Sequence, residues 1–255
     1  MKAGRLKAVV FLFFCLSVPT QAFAFPKVYS PIVEKGEIEL EYQASANFDD
    51  RAGFENGQVH RFAIGYGVND RWYTEVYAEL EREATEENDE GEKEHHPFDY
   101  TATAWENRLQ LTEQGQFWLD LGLYTEYEWA SRHRGVDHLE LKILFEKEWD
   151  DWRHRLNVIF EKEVGGGETE SLEPGFAWQT LYRLREEVQP GIELHSNFGP
   201  VDDRPTYQEQ KHSLGPVLEG RIYKKIRYNV GYLFGLTDST PDGQLKWTME
   251  WEERF

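Results

Sequence analysis

The sequence predicts an all-β protein: one closed, antiparallel, transmembrane β-barrel of about twelve strands in an up-and-down meander. Apolar and polar residues alternate with period two, which is typical of strands whose two faces meet different environments. About twelve such segments follow one another, and short connections alternate with long ones along the whole chain. Aromatic residues make up 15% of the 255 residues, and aromatic side chains favour strands.

The strand segments share the same alternation, with few exceptions. In one of them the apolar parity comprises Trp72, Thr74, Val76, Ala78 and Leu80, and the opposite parity carries Glu75, Glu79 and Glu81. The exceptions are apolar residues on the polar parity, namely Leu144, Ile159 and Leu233. The predicted strands lie near residues 36–45, 58–68, 71–82, 98–111, 116–130, 138–148, 152–163, 173–186, 190–198, 211–222, 226–237 and 244–255.

The connections between these segments are of two kinds. The short ones contain "ND", "TEQG", "WDD", "EEVQPG" and "YKK", and the long ones include "ANFDDRAGFENG", "EATEENDEGEKEHHP" and "GPVDDRPTYQEQ". Tight turns at one end and long loops at the other are the layout of a bacterial outer-membrane barrel. In lipid every backbone polar group must be paired, so strands can span a bilayer only as a closed barrel.

The N-terminus has the three parts of a secretory signal peptide. Lys2, Arg5 and Lys7 precede an apolar stretch that contains the single cysteine, Cys15, and Ala22-Phe23-Ala24 forms a cleavage pattern. The apolar stretch is shorter than the roughly 20 residues that span a bilayer, so an anchor helix is the weaker alternative. We expect residues 1–24 to be a signal peptide and residues 25–255 to form the barrel.

The net charge of the chain limits the classes of partner it can bind. The formal net charge is -19, which argues against nucleic acid, because phosphates need basic partners. A soluble β-sandwich or lipocalin-like barrel remains the alternative fold, since alternation alone does not say whether the apolar face meets lipid or a core.

The C-terminal stretch "WTMEWEERF" resembles the terminal strand of Gram-negative outer-membrane β-barrel proteins, the class that includes the porins. It alternates apolar residues and ends on Phe255, although Glu253 stands where an apolar residue is more usual. The resemblance extends to the signal peptide and the strand layout. It implies that the barrel assembly machinery recognises the last strand, with Phe255 as the assembly signal, and that the protein resides in the bacterial outer membrane.

If the apolar parity faces lipid, the other parity lines the lumen, and its charged residues are candidates for a pore wall. These candidates are Glu75, Glu106, Arg108, Glu126, Arg155, Arg183, Glu193 and Arg221. Buried charges are tolerated only when they are paired or hydrated. Two interpretations stay open: an ion-pair network that stiffens a narrow barrel, or a polar pore whose charges select solutes. Glu106 and Arg108 fit both, because they can pair with each other or line a path.

Sites for catalysis or metal binding are weakly indicated. Outer-membrane lipases of this type place His and Ser at alternate positions, whereas His195 and Ser196 are adjacent and point to opposite faces. The chain has no G-x-S-x-G motif. The acidic stretch "EENDEGEKEHH" ends in His95 and His96, which are candidates for a divalent-cation site; a solvated surface loop is the alternative.

These observations predict a porin-like channel for passive passage of small hydrophilic solutes or ions, not an enzyme, with no cofactor. The expected partners are outer-membrane lipids, the barrel assembly machinery and the solutes themselves. One alternative is a non-conducting barrel with a structural or surface-binding role, for example towards metal ions. The other alternative is an outer-membrane hydrolase.

Overall fold

The computed structural model describes residues 25–51, 53–87, 93–94, 96–131, 136–165 and 171–254. The predicted signal peptide, His95 and Phe255 lie outside these residues. No helix in the described part of the chain is long and apolar enough to cross a membrane. The twelve barrel strands are β1 (Glu37–Phe48), β2 (Gln58–Asn69), β3 (Trp72–Arg82), β4 (Asp99–Gln110), β5 (Asp120–Ala130), β6 (Asp137–Trp149), β7 (Trp152–Val164), β8 (Glu173–Tyr182), β9 (Gln189–Asn197), β10 (Lys211–Ile222), β11 (Ile226–Gly235) and β12 (Gly243–Arg254).

These strands form one closed barrel in which each strand pairs antiparallel with the next along the chain. The barrel closes where β12 pairs with β1, from Glu37 opposite Arg254 to Phe48 opposite Gly243. A separate two-stranded sheet, Glu86–Glu87 with Lys93–Glu94, lies in one long connection. The predicted closed twelve-stranded meander is confirmed. Short connections lie at one end of the barrel, the turn end, and long ones at the other, the loop end.

Two predicted strand ends are wrong by several residues. The strand predicted from residue 116 begins at Asp120, because Gly115 adopts a positive φ of 71° and donates its N–H to the Asp120 carboxylate at 2.7 Å. The turn that results leaves Phe117 and Trp118 exposed instead of paired in the sheet. The strand predicted to reach residue 186 ends at Tyr182. Beyond that residue the chain forms a narrow turn with an isolated bridge between Arg185 and Val188.

The barrel is apolar outside and polar inside. On the closing strand Met249 and Trp251 are exposed, whereas Lys246, Glu250 and Glu252 are buried. The same arrangement recurs around the wall, where large exposed side chains such as Phe62 53%, Ile64 58% and Trp105 46% face outward. A soluble barrel would have the opposite arrangement, with apolar side chains in its centre. The strands of 9–13 residues have the length that spans a bilayer.

Residues 25–36 enter the barrel instead of extending its wall. We call them the lumenal segment. At the turn end Gly36 has a positive φ of 74° and donates its N–H to the Gly67 carbonyl at 2.7 Å, so the chain reverses before β1. Further in, Phe25, Tyr29 and Val33 are buried with 6%, 3% and 8% exposure. The interior of the barrel is therefore filled in part by the protein's own chain.

Candidate functional site

The charged residues predicted to line the lumen lie on the inner face of the wall or at its turn end. Glu75, Glu106, Glu126, Arg155 and Glu193 are buried. The remaining three, nearer the turn end, are half-buried, namely Arg108, Arg183 and Arg221. Arg183 follows the last residue of β8 and pairs with Glu148 at 2.8 Å at the rim, so it lies outside the central lumen.

Glu106 and Arg108 have different partners. Glu106 accepts a hydrogen bond from the Tyr29 hydroxyl at 3.2 Å. The Arg108 guanidinium lies over the Tyr73 ring, 4.2 Å from its centroid, and 4.0 Å from the Glu39 carboxylate. The sequence left open whether Glu106 and Arg108 pair with each other. In the structure each of these side chains contacts a residue of another element instead.

Carboxylates in register form a row along the inner wall, interrupted at one strand, which we call the glutamate ladder. Glu75 on β3 stands opposite Glu106 on β4, and Glu106 stands opposite Glu126 on β5. Because the strands are tilted, the row climbs from the turn end to the loop end as it passes round the barrel. Its members in register are Glu252, Glu39, Glu75, Glu106, Glu126, Glu140, Glu161 and Glu173.

Within the nine successive strands from β12 to β8 that the ladder crosses, only β2 contributes no carboxylate. Its residue in register is Gly65, between Glu39 and Glu75. A Cβ at Gly65 would overlap the Tyr73 hydroxyl, so the glycine leaves room for this ring. The Tyr73 hydroxyl lies 2.6 Å from both Glu39 and Glu75. The phenol thus links the two carboxylates across the missing position.

Arginines form the opposite part of the wall near the turn end. Arg155 on β7 contacts Glu146 at 2.8 Å and Glu219 at 3.0 Å. Arg227 on β11 contacts Glu252 at 2.8 Å. The ion pairs of Arg155 are largely shielded from solvent, where the loss of one partner leaves a costly uncompensated charge. The ion-pair network foreseen from the sequence is therefore present along one side of the lumen.

The lumenal segment lies between these two walls. The Asn157 side chain accepts the Tyr29 N–H at 2.7 Å and donates to the Tyr29 carbonyl at 2.9 Å. Lys27 contacts Glu41 at 2.6 Å and Glu250 at 3.7 Å. The segment is thus held both by its backbone and by its side chains.

The Tyr29 ring has the most enclosed position in this segment. Its centroid lies 4.6 Å from that of Tyr124, and Leu144 completes the cluster. The Lys142 ammonium lies 4.5 Å from both ring centroids. Leu144 is one of the three apolar residues on the polar parity, so that exception to the alternation marks the place where the segment packs.

Among the cavities that the described residues line, two lie on either side of the segment, and we call them the loop-end and turn-end chambers. The loop-end chamber, of about 140 Å³, has Phe25 as part of its lining, together with Lys142 and the remaining exceptions to the alternation, Ile159 and Leu233. The turn-end chamber, of about 270 Å³, is lined by charged residues that include Glu37, Glu39, Arg108, Arg153, Arg221 and Arg227. Sequence reasoning missed this arrangement, because residues 25–36 carry no periodic pattern.

The loop end is tied together beside the closing seam. The Asp49 carboxylate accepts hydrogen bonds from the Arg51 backbone at 2.7 Å and from the Asp242 backbone at 2.9 Å, and it pairs with the Arg51 guanidinium at 2.6 Å. Burial alone would raise the pKa of Asp49, but these hydrogen bonds lower that pKa to about 2. Arg51 also donates to the carbonyls of Asp238 and Thr240. The first long loop is therefore joined to the last.

Of the two candidate metal ligands, His96 lies 3.9 Å from Glu83, and His95 lies outside the described residues. Among the described residues the group with suitable ligand spacing is Glu37, Glu39 and Glu252. Arg221 and Arg227 already pair with Glu252 there, so cations of the chain itself occupy that position.

Comparison with known proteins bears on the fold. No protein family and no curated protein matches the sequence. Among solved structures, the COG4313 outer membrane channel from Pseudomonas putida F1 superposes with a TM-score of 0.64 at 11% identity, over 91% of this chain and 99% of that chain. The NanC porin superposes with a TM-score of 0.55 at 8% identity, over 85% and 99%. This is the fold of an outer-membrane β-barrel.

With this fold, the chain has a surface suited to a bilayer. Tryptophans are exposed at strand ends, including Trp149 and Trp152, which face each other across a tight turn. Aromatic side chains at strand ends are typical of the interfacial girdles of such barrels. The two compared structures are a channel and a porin.

Proposed function

We propose that this outer-membrane β-barrel is a channel for passive passage of small hydrophilic solutes and cations, and that the lumenal segment must leave the lumen before a solute can pass. The observation that carries the proposal is the glutamate ladder, which runs from the turn end to the loop end. A row of like charges along one wall lowers the energy of a cation at each step of its path. The channel and the porin that share the fold support the same function.

The ladder favours cations although arginines are present. Most of the inward arginines lie near the turn end and pair with acidic partners, as Arg155 does with Glu146 and Glu219. Arg61, nearer the loop end, also pairs with a carboxylate, that of Glu79 at 2.7 Å. The middle of the ladder faces tyrosine hydroxyls instead, as Glu106 does with Tyr29. Among the described residues Glu75, Glu106 and Glu126 form no ion pair and accept hydrogen bonds from tyrosine hydroxyls, so a passing cation can contact their oxygens. A cationic or zwitterionic solute is therefore preferred over an anionic one.

The test uses purified protein in planar bilayers. A variant that lacks residues 25–33 but keeps residues 1–24 should give discrete conductance steps more often than the full chain. Its reversal potential in a KCl gradient should show cation preference, and Glu106→Gln with Glu126→Gln should reduce that preference severalfold. Arg183→Gln, at the rim, is the matched control and should leave it unchanged. A deletion variant that folds but stays silent would refute the channel.

A non-conducting barrel is the second candidate, because the lumenal segment fills the space between the two chambers. The same deletion separates the two functions. If the structural role is correct, the full chain and the deletion variant are equally silent. If the channel is correct, removal of the segment opens a path.

We further propose that the protein resides among outer-membrane lipids after export by the signal peptide of residues 1–24, with the turn end towards the periplasm. Phe255 would serve the barrel assembly machinery as its recognition signal. Deletion of Phe255 should lower the fraction of heat-modifiable, folded protein in the outer membrane. An equal folded fraction for a chain that ends at Arg254 would refute this role.

A further inference from the structure

The lumen wall recognises the main chain of the lumenal segment. The Asn157 side chain bonds both the N–H and the carbonyl of Tyr29, at 2.7 and 2.9 Å, which is the pair of bonds that a neighbouring strand would offer. Gln110 accepts the Val33 N–H at 2.8 Å. These contacts need only a peptide backbone and are independent of the side chain attached to it.

Asn157 is committed to this contact. It is fully buried, with 0% exposure, and among the described residues its amide has no hydrogen-bond partner other than the Tyr29 backbone. A buried amide that loses its hydrogen-bond partners destabilises the folded state. The wall is therefore incomplete without a peptide group at this position, whether that group belongs to this chain or to another molecule.

Two further contacts depend on the identity of side chains, those of Lys27 and Tyr29, which are two residues apart. Lys27 places its ammonium between Glu41 at 2.6 Å and Glu250 at 3.7 Å. Tyr29 places its ring on Tyr124, with a centroid distance of 4.6 Å. The spacing between a carboxylate pair and an aromatic pocket matches an extended chain, in which residues i and i+2 project to the same side.

We infer that the lumenal segment occupies the binding site of the solute, and that the solute class is short, extended peptides with a basic residue two positions before an aromatic one. This inference rests on the proposed channel function and names its substrate class. Glu41 and Glu250 hold the basic residue, the aromatic pocket holds the ring, and Asn157 holds the backbone of the aromatic residue. The chambers on either side give such a peptide a route to the site and away from it.

The experiment titrates end-blocked pentapeptides into the variant that lacks residues 25–33, purified in detergent and checked for heat-modifiable migration. The probe is Gly-Lys-Val-Tyr-Gly, with binding measured by calorimetry. Gly-Glu-Val-Tyr-Gly and Gly-Lys-Val-Ala-Gly should each bind at least tenfold more weakly. Asn157→Ala in the same variant should weaken binding of the probe roughly tenfold, for the loss of two hydrogen bonds. The full chain, whose site is occupied, should bind at least tenfold more weakly than the variant.

Absence of binding to the variant, or equally tight binding of the glutamate peptide or of maltotriose, would overturn the inference. Conductance of the same preparation distinguishes a failure of this inference from a failure of the proposed channel function. A variant that conducts without binding the peptide refutes the substrate class alone, whereas one that binds the peptide without conducting refutes the channel alone. If the deletion prevents folding, the full chain with Lys27→Ala and Tyr29→Ala, which weakens both anchors, takes its place in the titration under the same criteria.

Discussion

Replacing Tyr29 by Ala should release the lumenal segment, because this side chain is the segment's best-packed anchor. Burial of the ring, exposed by only 3%, contributes about 2 kcal/mol. Its contact with Tyr124 at 4.6 Å adds about 1 kcal/mol, and the hydrogen bond to Glu106 at 3.2 Å adds about 1 kcal/mol. The total of about 4 kcal/mol shifts the equilibrium between the lumenal and the released segment by about three orders of magnitude.

The assay is the fraction of time that single channels conduct in planar bilayers. Tyr29→Ala should raise this fraction by up to about a thousandfold, limited by saturation at full opening. Tyr29→Phe removes only the hydroxyl, so we expect a rise of no more than about tenfold. Lys35→Ala, at an exposed position of the same segment, should have no effect. If Tyr29→Ala conducts no more often than the full chain while the barrel stays folded, the segment is not what closes the lumen.

Three further predictions concern the free energy of unfolding of the barrel in lipid vesicles. It is measured by urea titration, and for the third prediction the titration is repeated at a series of pH values. Gly65→Ala should destabilise the barrel by about 1–3 kcal/mol, because the added Cβ overlaps the Tyr73 hydroxyl; an unchanged free energy would contradict this. Arg155→Met should cost about 3–5 kcal/mol, because buried Glu146 loses its ion-pair partner and buried Glu219 keeps only Arg153. Arg183→Met at the half-exposed rim should cost less than about 1 kcal/mol; equal losses would show that burial does not matter here. The folded-state pKa of Asp49 is about 2, below its unfolded value of about 3.9. The ionised Asp49 therefore stabilises the barrel by an amount on the order of 1 kcal/mol at the solvent-screened rim, and this stabilisation is present above about pH 4 and is lost as the pH falls through 2. Asp49→Asn should lack this part of the acid sensitivity, and a pH profile identical to that of the unchanged protein would refute the prediction.

The alternation of the sequence was sufficient to predict the barrel. Lipid outside and polar side chains inside impose a period of two on every strand, and that period is visible locally, as in Lys246, Met249 and Glu250 of the closing strand. The strand ends that were wrong lie at turns. At Gly115 and Asp120 a side-chain hydrogen bond replaces sheet pairing, and alternation does not signal such a bond.

The sequence predicted which residues point into the lumen, but it did not predict which residues they contact. Glu106 and Arg108 are adjacent inward positions, as expected, but their contacts come from Tyr29 and Glu39. Contacts across a lumen depend on the strand tilt and register of the whole barrel, and the sequence of a single strand determines neither. Whether these residues conduct a solute stays a prediction.

The sequence by itself determined the type of fold, the strand order and the face on which each side chain lies, because these follow from local alternation and short turns. Only the tertiary structure decided that eight glutamates align in one ladder, since the alignment requires the register of successive strand pairs. Only the tertiary structure placed Tyr29 against Asn157, 128 residues further along the chain. A segment without periodicity takes its position from the cavity that the closed barrel forms around it.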